Sequence, residues 1–382
     1  MSKSAENQMF HVEHEHFGVY VHVPFCVSKC GYCDFYRVTD FRLVNEYIDA
    51  VRREIEQSAV MNDSPSTIYV GGGTPSSLKS AGLQKLLNVI SECFDFTNLK
   101  EFTVECNPDD VTEELAYVLV SNGVNRVSMG AQSLNDEMLR FMGRRHNSQQ
   151  VRDAISNLRS CGLSNISVDS IFGLPSLPNY DYASDIDDFI SLGVPHLSAY
   201  ALSYESESRF SKMLDDGKLS PLPDDDVASQ YDLLTVKLAS AGYAHYEISN
   251  YAMPGFEAVH NSSYWNHTPY YGFGPAASSF YNATRKTNMH DVCKYSSSLN
   301  FESAAETETL SESELFEEVV MLRLRTSNGL ELSEVPQKFQ SAFKSKCRVE
   351  IENGNLEIIS NNRVRIPEHR WFVSDSIIRR LV

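Results

Sequence analysis

The stretch Pro24-Phe25-Cys26-Val27-Ser28-Lys29-Cys30-Gly31-Tyr32-Cys33-Asp34-Phe35 decides the reading of this chain. It sets three cysteines at the spacing C-x3-C-x2-C, just past the alternating valines Val19, Val21 and Val23. Such alternation reads as a strand, so the cysteines occupy the loop that follows it. Three thiolates on one loop are a ligand set, because soft sulfur suits iron–sulfur clusters and zinc. A four-iron cluster usually takes four thiolates. Here three are offered and no fourth cysteine follows nearby, so one iron stays open to an exchangeable ligand. A structural zinc ion would want a fourth Cys or His at finger-like spacing, and none is evident. A disulfide would leave one thiol over. A [4Fe-4S] cluster on Cys26, Cys30 and Cys33 is the expected occupant.

The rest of the composition narrows the class. A chain of 382 residues is long enough for a large barrel and a smaller domain. Its hydrophobic content is that of an ordinary globular protein, and no apolar run is long enough to span a bilayer. The segment Met1 to His16 is polar and has no apolar core of a signal peptide, so the eight cysteines are expected to live reduced, in a cytoplasm. A net charge of −18 argues against a general nucleic-acid role. His11, His14 and His16 read as part of a solvated tail, residues 1–16, rather than a metal tract.

After the cysteine loop the chain alternates. Val44, Tyr47, Ile48, Val51 and Ile55 keep helical spacing. Thr67 to Val70 reads as a strand running into Gly71-Gly72-Gly73-Thr74-Pro75, and Leu83, Leu86, Leu87 and Ile90 mark the next helix. Strands follow over Glu101 to Cys106, Asn125 to Gly130, Asn165 to Phe172 and His196 to Leu202, with helical segments between them. Asp110 or Thr112 is the expected N-cap of the helix reaching Asn122. Alternating strand and helix predicts parallel strands with helical crossovers. Along the strands Tyr20, Glu105 and Asp169 alternate with apolar residues, which puts all three on a polar inner face. Barrel enzymes build their sites at strand C-terminal ends, and carboxylates are seldom buried without partners.

The cysteine spacing, with Tyr32 just before the last cysteine, resembles the radical S-adenosylmethionine (SAM) superfamily. Tyr20-Val21-His22-Val23-Pro24-Phe25-Cys26 is similar to the branch holding the oxygen-independent coproporphyrinogen III dehydrogenases (HemN) and the HemW heme chaperones. The resemblance implies an α/β fold: a partial (β/α)6 TIM-like barrel over residues 17–295 and a small α+β, winged-helix-like domain over 310–382. It implies that the open iron binds SAM, and that Tyr20, Tyr32, Gly72, Gly73, Thr74 and Glu105 contact it. Gln132, Arg144 and Asp169 match further cofactor or substrate positions, with Arg145 an equal candidate beside Arg144. It also implies one-electron chemistry, in which a reduced cluster cleaves SAM to methionine and a 5′-deoxyadenosyl radical. Such a cycle needs a flavodoxin or ferredoxin-type electron donor.

Downstream, His260-Asn261-Ser262-Ser263-Tyr264-Trp265 reads as a loop or short aromatic helix, and Tyr270 to Ser278 as a glycine-bearing turn toward the barrel mouth. The HNxxYW pattern resembles the HemW heme segment, which makes His260 the expected heme ligand. Two departures separate the chain from the dehydrogenases: Phe35 stands where they carry a further cysteine, and about two dozen residues precede Cys26, leaving little room for their longer leader. The resemblance therefore implies a heme chaperone that hands heme to acceptor haemoproteins. A dehydrogenase of coproporphyrinogen III is the alternative, and a homodimer is compatible with either. Residues 296 to 308 read as a linker, and Leu356 to Ile366 as a hairpin turning at Asn361-Asn362. Cys93, Cys106, Cys161, Cys293 and Cys347 read as ordinary thiols.

Overall fold

The computed structural model describes residues 16–206, 208–360 and 362–382. His11 and His14 lie outside them, as does Asn361. The chain enters strand β1 (Gly18–Val23), and strand and helix then alternate: α1 (Val44–Gln57), β2 (Thr67–Gly72), α2 (Lys79–Cys93), β3 (Glu101–Cys106), α3 (Glu113–Ser121), β4 (Arg126–Gln132), α4 (Asp136–Met142), α5 (Ser148–Ser160), β5 (Ile166–Phe172), α6 (Tyr182–Ser191) and β6 (His196–Ala201). Neighbours β1 to β6 pair in parallel and in sequence order. These are the six parallel strands that the alternation predicted, in the partial (β/α)6 barrel that the resemblance implied.

The faces divide as the sequence period requires. Val19, Val21 and Val23 are fully buried on the outer face, where Tyr47, Ile48, Val51 and Ile55 of α1 complete the same core. Burying each such aliphatic side chain is worth about 1.5–3 kcal/mol. The inner face is polar: Tyr20, Tyr69, Thr103 and Arg126 share one level of the register, and Glu105 meets Ser128 one level up. Thr112 caps α3, its hydroxyl accepting from the Leu115 N–H at 3.1 Å. Asp110 instead pairs with Lys79 and Arg145.

The chain continues through α7 (Arg209–Asp215), α8 (Asp224–Ser240), β7 (Ala244–Glu247), β8 (Asn250–Ala252) and α9 (Val259–Trp265). It then forms β9 (Tyr270–Phe273), β10 (Ser278–Tyr281), β11 (Thr284–Thr287), α10 (Val292–Ser297) and β12 (Glu306–Thr309). Two expectations are corrected here. Tyr270–Phe273 is not part of a turn at the mouth but a strand parallel to β1, starting opposite Gly18. The glycine in this Tyr-Tyr-Gly-Phe strand lets the backbone of Ser278 come close at Gly272, where a Cβ would collide. Residues 306–309 are not linker, because their Thr/Glu alternation pairs antiparallel with β11. The sheet therefore runs to twelve strands, in the order β12-β11-β10-β9-β1-β2-β3-β4-β5-β6-β8-β7.

The C-terminal part comprises α11 (Glu312–Arg323), β13 (Leu330–Glu331), α12 (Gln337–Glu352), β14 (Glu357–Ser360), β15 (Arg363–Arg365) and α13 (Ser374–Leu381). Its small sheet has the order β13-β15-β14. Phe316, Val319 and Val320 of its first helix, and Leu324 just after it, belong to the same apolar cluster as the barrel. Among the described residues no helix is long and apolar enough to cross a membrane.

Candidate functional site

The cysteine loop is pinned from three directions. Val38 N–H donates to Pro24 O at 2.7 Å and Cys26 N–H to Val38 O at 3.0 Å, closing the loop on itself. Gly31 N–H donates to Met142 O at 2.8 Å and Gly31 O accepts from Phe210 at 2.9 Å. Only glycine fits there, because a Cβ would stand 2.7 Å from the Phe210 ring. The glycine segment after β2 docks beneath: Gly73 N–H donates to Val23 O and Thr74 N–H to Phe25 O, both at 2.8 Å.

These elements frame a cavity of about 550 Å³ at the C-terminal ends of the parallel strands. It is lined by Cys26, Cys30 and Cys33, by Tyr32, and by Gly72, Gly73 and Thr74. Glu105, Gln132, Arg144 and Asp169 complete it from β3, β4, the loop after α4, and β5. Residues spread over more than a hundred positions thus meet in one space. All eight cysteines are free thiols, and the five read as ordinary stay apart from the three in the loop, except that Cys106 reaches the cavity wall.

Each loop thiol has its own donor. The Thr74 hydroxyl lies 3.2 Å from Cys26 Sγ. Arg37 Nη1 donates to Cys33 Sγ at 3.2 Å, and Arg144 Nη1 to Cys30 Sγ at 3.3 Å. Burial pushes the Cys26 and Cys33 thiols up, while Thr74 and Arg37 respectively draw them back down. Among the described residues no three His, Cys, Asp or Glu side chains close around a single ion. Three soft thiols face one cavity, and donors to sulfur tune iron–sulfur clusters. The donor set therefore fits the expected cluster.

Both arginines line the cavity, but Arg144 is the one that grips the cysteine loop. It also donates to Tyr32 OH at 3.3 Å and to Gly130 O at 2.6 Å, and bonds Asn107, so it ties the cysteine loop to β4. Arg145 turns to Asp109 and Asp110, at 3.2 and 3.0 Å. Glu105 accepts from Tyr69 OH at 2.7 Å and from Gly72 N–H at 3.0 Å. Burial, with Asp169 nearby, lifts its pKa to about 7. Burial lifts Asp169 to about 6, against the hydroxyls of Ser198 and Ser128. Gln132 sits at φ +70° where β4 bulges between Gly130 and Gln132, and the bulge re-aims it into the cavity.

Two expected site residues are elsewhere. Tyr20 lies beneath the cavity, not on its wall, with its OH 3.0 Å from His22 Nδ1. His260 is farther away still. It is 1 % exposed and plugs the floor of the barrel, at the N-terminal strand ends. Thr67 Oγ1 lies 2.7 Å from its Nδ1 and Tyr264 OH 2.8 Å from its Nε2, and its ring stacks on Tyr69. Glu101 accepts the backbone N–H groups of Val259 and His260 at 2.7 and 3.1 Å. Burial holds its pKa down to about 3, so the ring is neutral. In this arrangement both ring nitrogens are occupied, and His260 sits as a hydrogen-bonded core histidine.

Sequence reading missed Arg37, Tyr69, Asn107 and Ser128. Arg37, four residues after Cys33, carried a signal in its nearness to the loop. Tyr69 and Ser128 depend on strand register, and Asn107 on the turn that follows β3.

Comparison with known proteins bears on this geometry. The family model described as the radical SAM superfamily matches residues 20–189. The chain is 36% identical over 91% of its length to the heme chaperone HemW of Lactococcus lactis, covering 92% of that protein. The chain belongs to the HemW family of radical SAM proteins. It is likewise 34% identical to HemW of Bacillus subtilis over 84% of this chain and 86% of that one. Among solved structures, coproporphyrinogen III oxidase (HemN) from Escherichia coli, described as a radical SAM enzyme, superposes with a TM-score of 0.81 at 19% identity. The match covers 96% of this chain and 89% of that one. At that identity the likeness establishes a common fold.

Proposed function

We propose that this protein is a heme chaperone that binds heme and passes it to acceptor haemoproteins, with a [4Fe-4S] cluster and SAM as resident cofactors. The observation that carries the choice over propionate chemistry is the commitment of every cation in the cavity lining. Arg37 is bound to Cys33 and to Phe35 O, Arg144 to Cys30, Tyr32, Gly130 and Asn107, and Arg145 to Asp109 and Asp110. Coproporphyrinogen carries four carboxylates to heme's two and needs correspondingly more charge-assisted partners, whereas the wall adds Asp34, Glu105, Asp169 and Glu205. Phe35, 66 % exposed, stands where the dehydrogenases carry a cysteine. The relatives named heme chaperones support the same reading.

Cys26, Cys30 and Cys33 would hold the cluster, and Gly72, Gly73, Thr74, Glu105, Gln132 and Asp169 would hold SAM. When bound, these cofactors supply one-electron chemistry at the sulfonium, fed by a flavodoxin or ferredoxin-type donor. The chain's own contribution is orientation and charge. Glu105 accepts an ammonium hydrogen bond when ionised, the glycine backbone permits close approach, and Arg144 locks the cysteine loop against β4. Ligation of heme by His260 would require α9 to leave the barrel floor, releasing Thr67 and Tyr264.

The test is a heme titration of the anaerobically reconstituted protein, followed optically, with and without SAM. Saturable binding of about one heme per chain and transfer to an apo-haemoprotein is the expected outcome. Accumulation of protoporphyrinogen from coproporphyrinogen, measured by mass spectrometry, would overturn the reading in favour of the dehydrogenase. His260→Ala decides the ligand: an unchanged Soret band and affinity would remove His260 from the heme site.

A further inference from the structure

The lumen beneath the cavity holds a charge that no contact explains. Arg126, on the inner face of β4, is 1 % exposed. Its Nε is buried without a hydrogen-bond partner, and among the described residues it makes no ion pair. A guanidinium stays protonated in proteins, and an unpaired buried charge is expensive by several kcal/mol. A barrel interior that needed only filling would take Val, Ile or Leu.

Its position suggests its use. Register sets Arg126 beside Thr103, one level below the pair Glu105 and Ser128, while Asp169 stands opposite Gly130 above them. Of the two carboxyls that line the cavity, Glu105 therefore sits one register level above a fixed positive charge, and Asp169 two levels above it on the next strand. Hydrogen bonds from Tyr69 and the Gly72 N–H at Glu105, and from Ser198 and Ser128 at Asp169, also favour the anions, but none of these donors carries a charge. Tyr20, Tyr69, Tyr200 and Tyr264, which face the two carboxyls from β1, β2, β6 and α9, are held far above their ordinary range by burial. The Cys106 thiol behind Glu105 is raised as well, and His196 and His260 are kept neutral. The other cation in reach, Arg144, is held by the cysteine loop and acts on Asp169 less than Arg126 does.

We propose that Arg126 is a positioning residue for SAM recognition, its buried charge keeping Glu105 and Asp169 anionic for the ammonium and hydroxyl groups of the cofactor. The inference rests on the reading of the cavity as a SAM site. Burial alone favours the neutral acids, and Arg126 opposes it at both. Removing the charge therefore raises both pKa values and empties the anionic form near neutrality.

The experiment is calorimetric SAM titration of reconstituted protein between about pH 5.5 and 8.5, with iron content measured for each variant. In the parent, affinity falls as pH drops through the Glu105 range. Arg126→Met moves that midpoint up by about one unit and weakens binding at neutral pH about tenfold, while Arg126→Lys stays within about threefold of the parent. A superimposable profile in Arg126→Met would overturn the proposal. So would an Arg126→Lys protein as impaired as Arg126→Met, since shape rather than charge would then matter. Should the Met variant not fold, Arg126→Gln takes its place in the same titration. Glu105→Gln separates the two readings: if it leaves SAM binding intact, the SAM pocket itself is misplaced; if it weakens binding while Arg126 variants do not, only Arg126 is.

Discussion

At the scale of single residues, burial sets opposite behaviour in two groups. Glu105 has its pKa raised to about 7, so as pH rises through 7 it gains its charge and the unliganded protein loses whatever stability the neutral acid contributed. SAM binding should run the other way and strengthen over the same window. Glu105→Gln is expected to weaken SAM about tenfold or more at pH 8 and to flatten the profile, which calorimetry reads. His260 is depressed to about 3. Its contribution is complete above the unfolded value near 6.5 and drains away as pH falls below it. His260→Ala should cost about 2–4 kcal/mol by urea melts at pH 7.5, from lost packing and two stranded hydroxyl partners. It should also shallow the loss of stability below pH 6.5. A variant as stable as the parent would mean that α9 does not plug the floor as described. The three cysteines were legible in sequence because metal ligands are read by spacing within one loop. The burial of His260 was not, because Thr67 and Glu101 reach it from strands more than 150 residues away.

At the scale of elements, the glycine segment after β2 is the joint between barrel and cysteine loop. A Cβ on Gly73 would lie 2.8 Å from Phe25 O and 2.9 Å from Val23 O. Gly73→Ala should therefore push the segment off the loop and lower the iron retained after reconstitution by more than half, with far-UV dichroism unchanged; full iron occupancy would refute the joint. Thr112→Ala removes the cap of α3 at a cost of about 1 kcal/mol, seen as a lower denaturation midpoint with the same m-value. Strand and helix order was legible from apolar period, because the outer face of every barrel strand packs on a helix. Strands β9 and β12 were not, since each is four residues long and pairs with strands distant in sequence or just formed.

At the scale of the whole molecule, the C-terminal part shares the barrel's core. Trp371, 2 % exposed, packs edge-on against His245 at 4.3 Å and donates to Ile366 O at 2.8 Å. Trp371→Ala should cost about 3–5 kcal/mol, and the barrel and C-terminal part should still melt in one calorimetric transition. Two resolved transitions would show that the shared core does not couple them. By itself the sequence determined the ligand loop, the alternating barrel and the polar inner face, because these follow from spacing and period along one chain. Only the tertiary structure decided that Arg144 rather than Arg145 grips the loop, that His260 closes the barrel floor, and that Arg126 stands under Glu105. Those depend on strand register and crossing partners, which bring together residues that no local pattern connects.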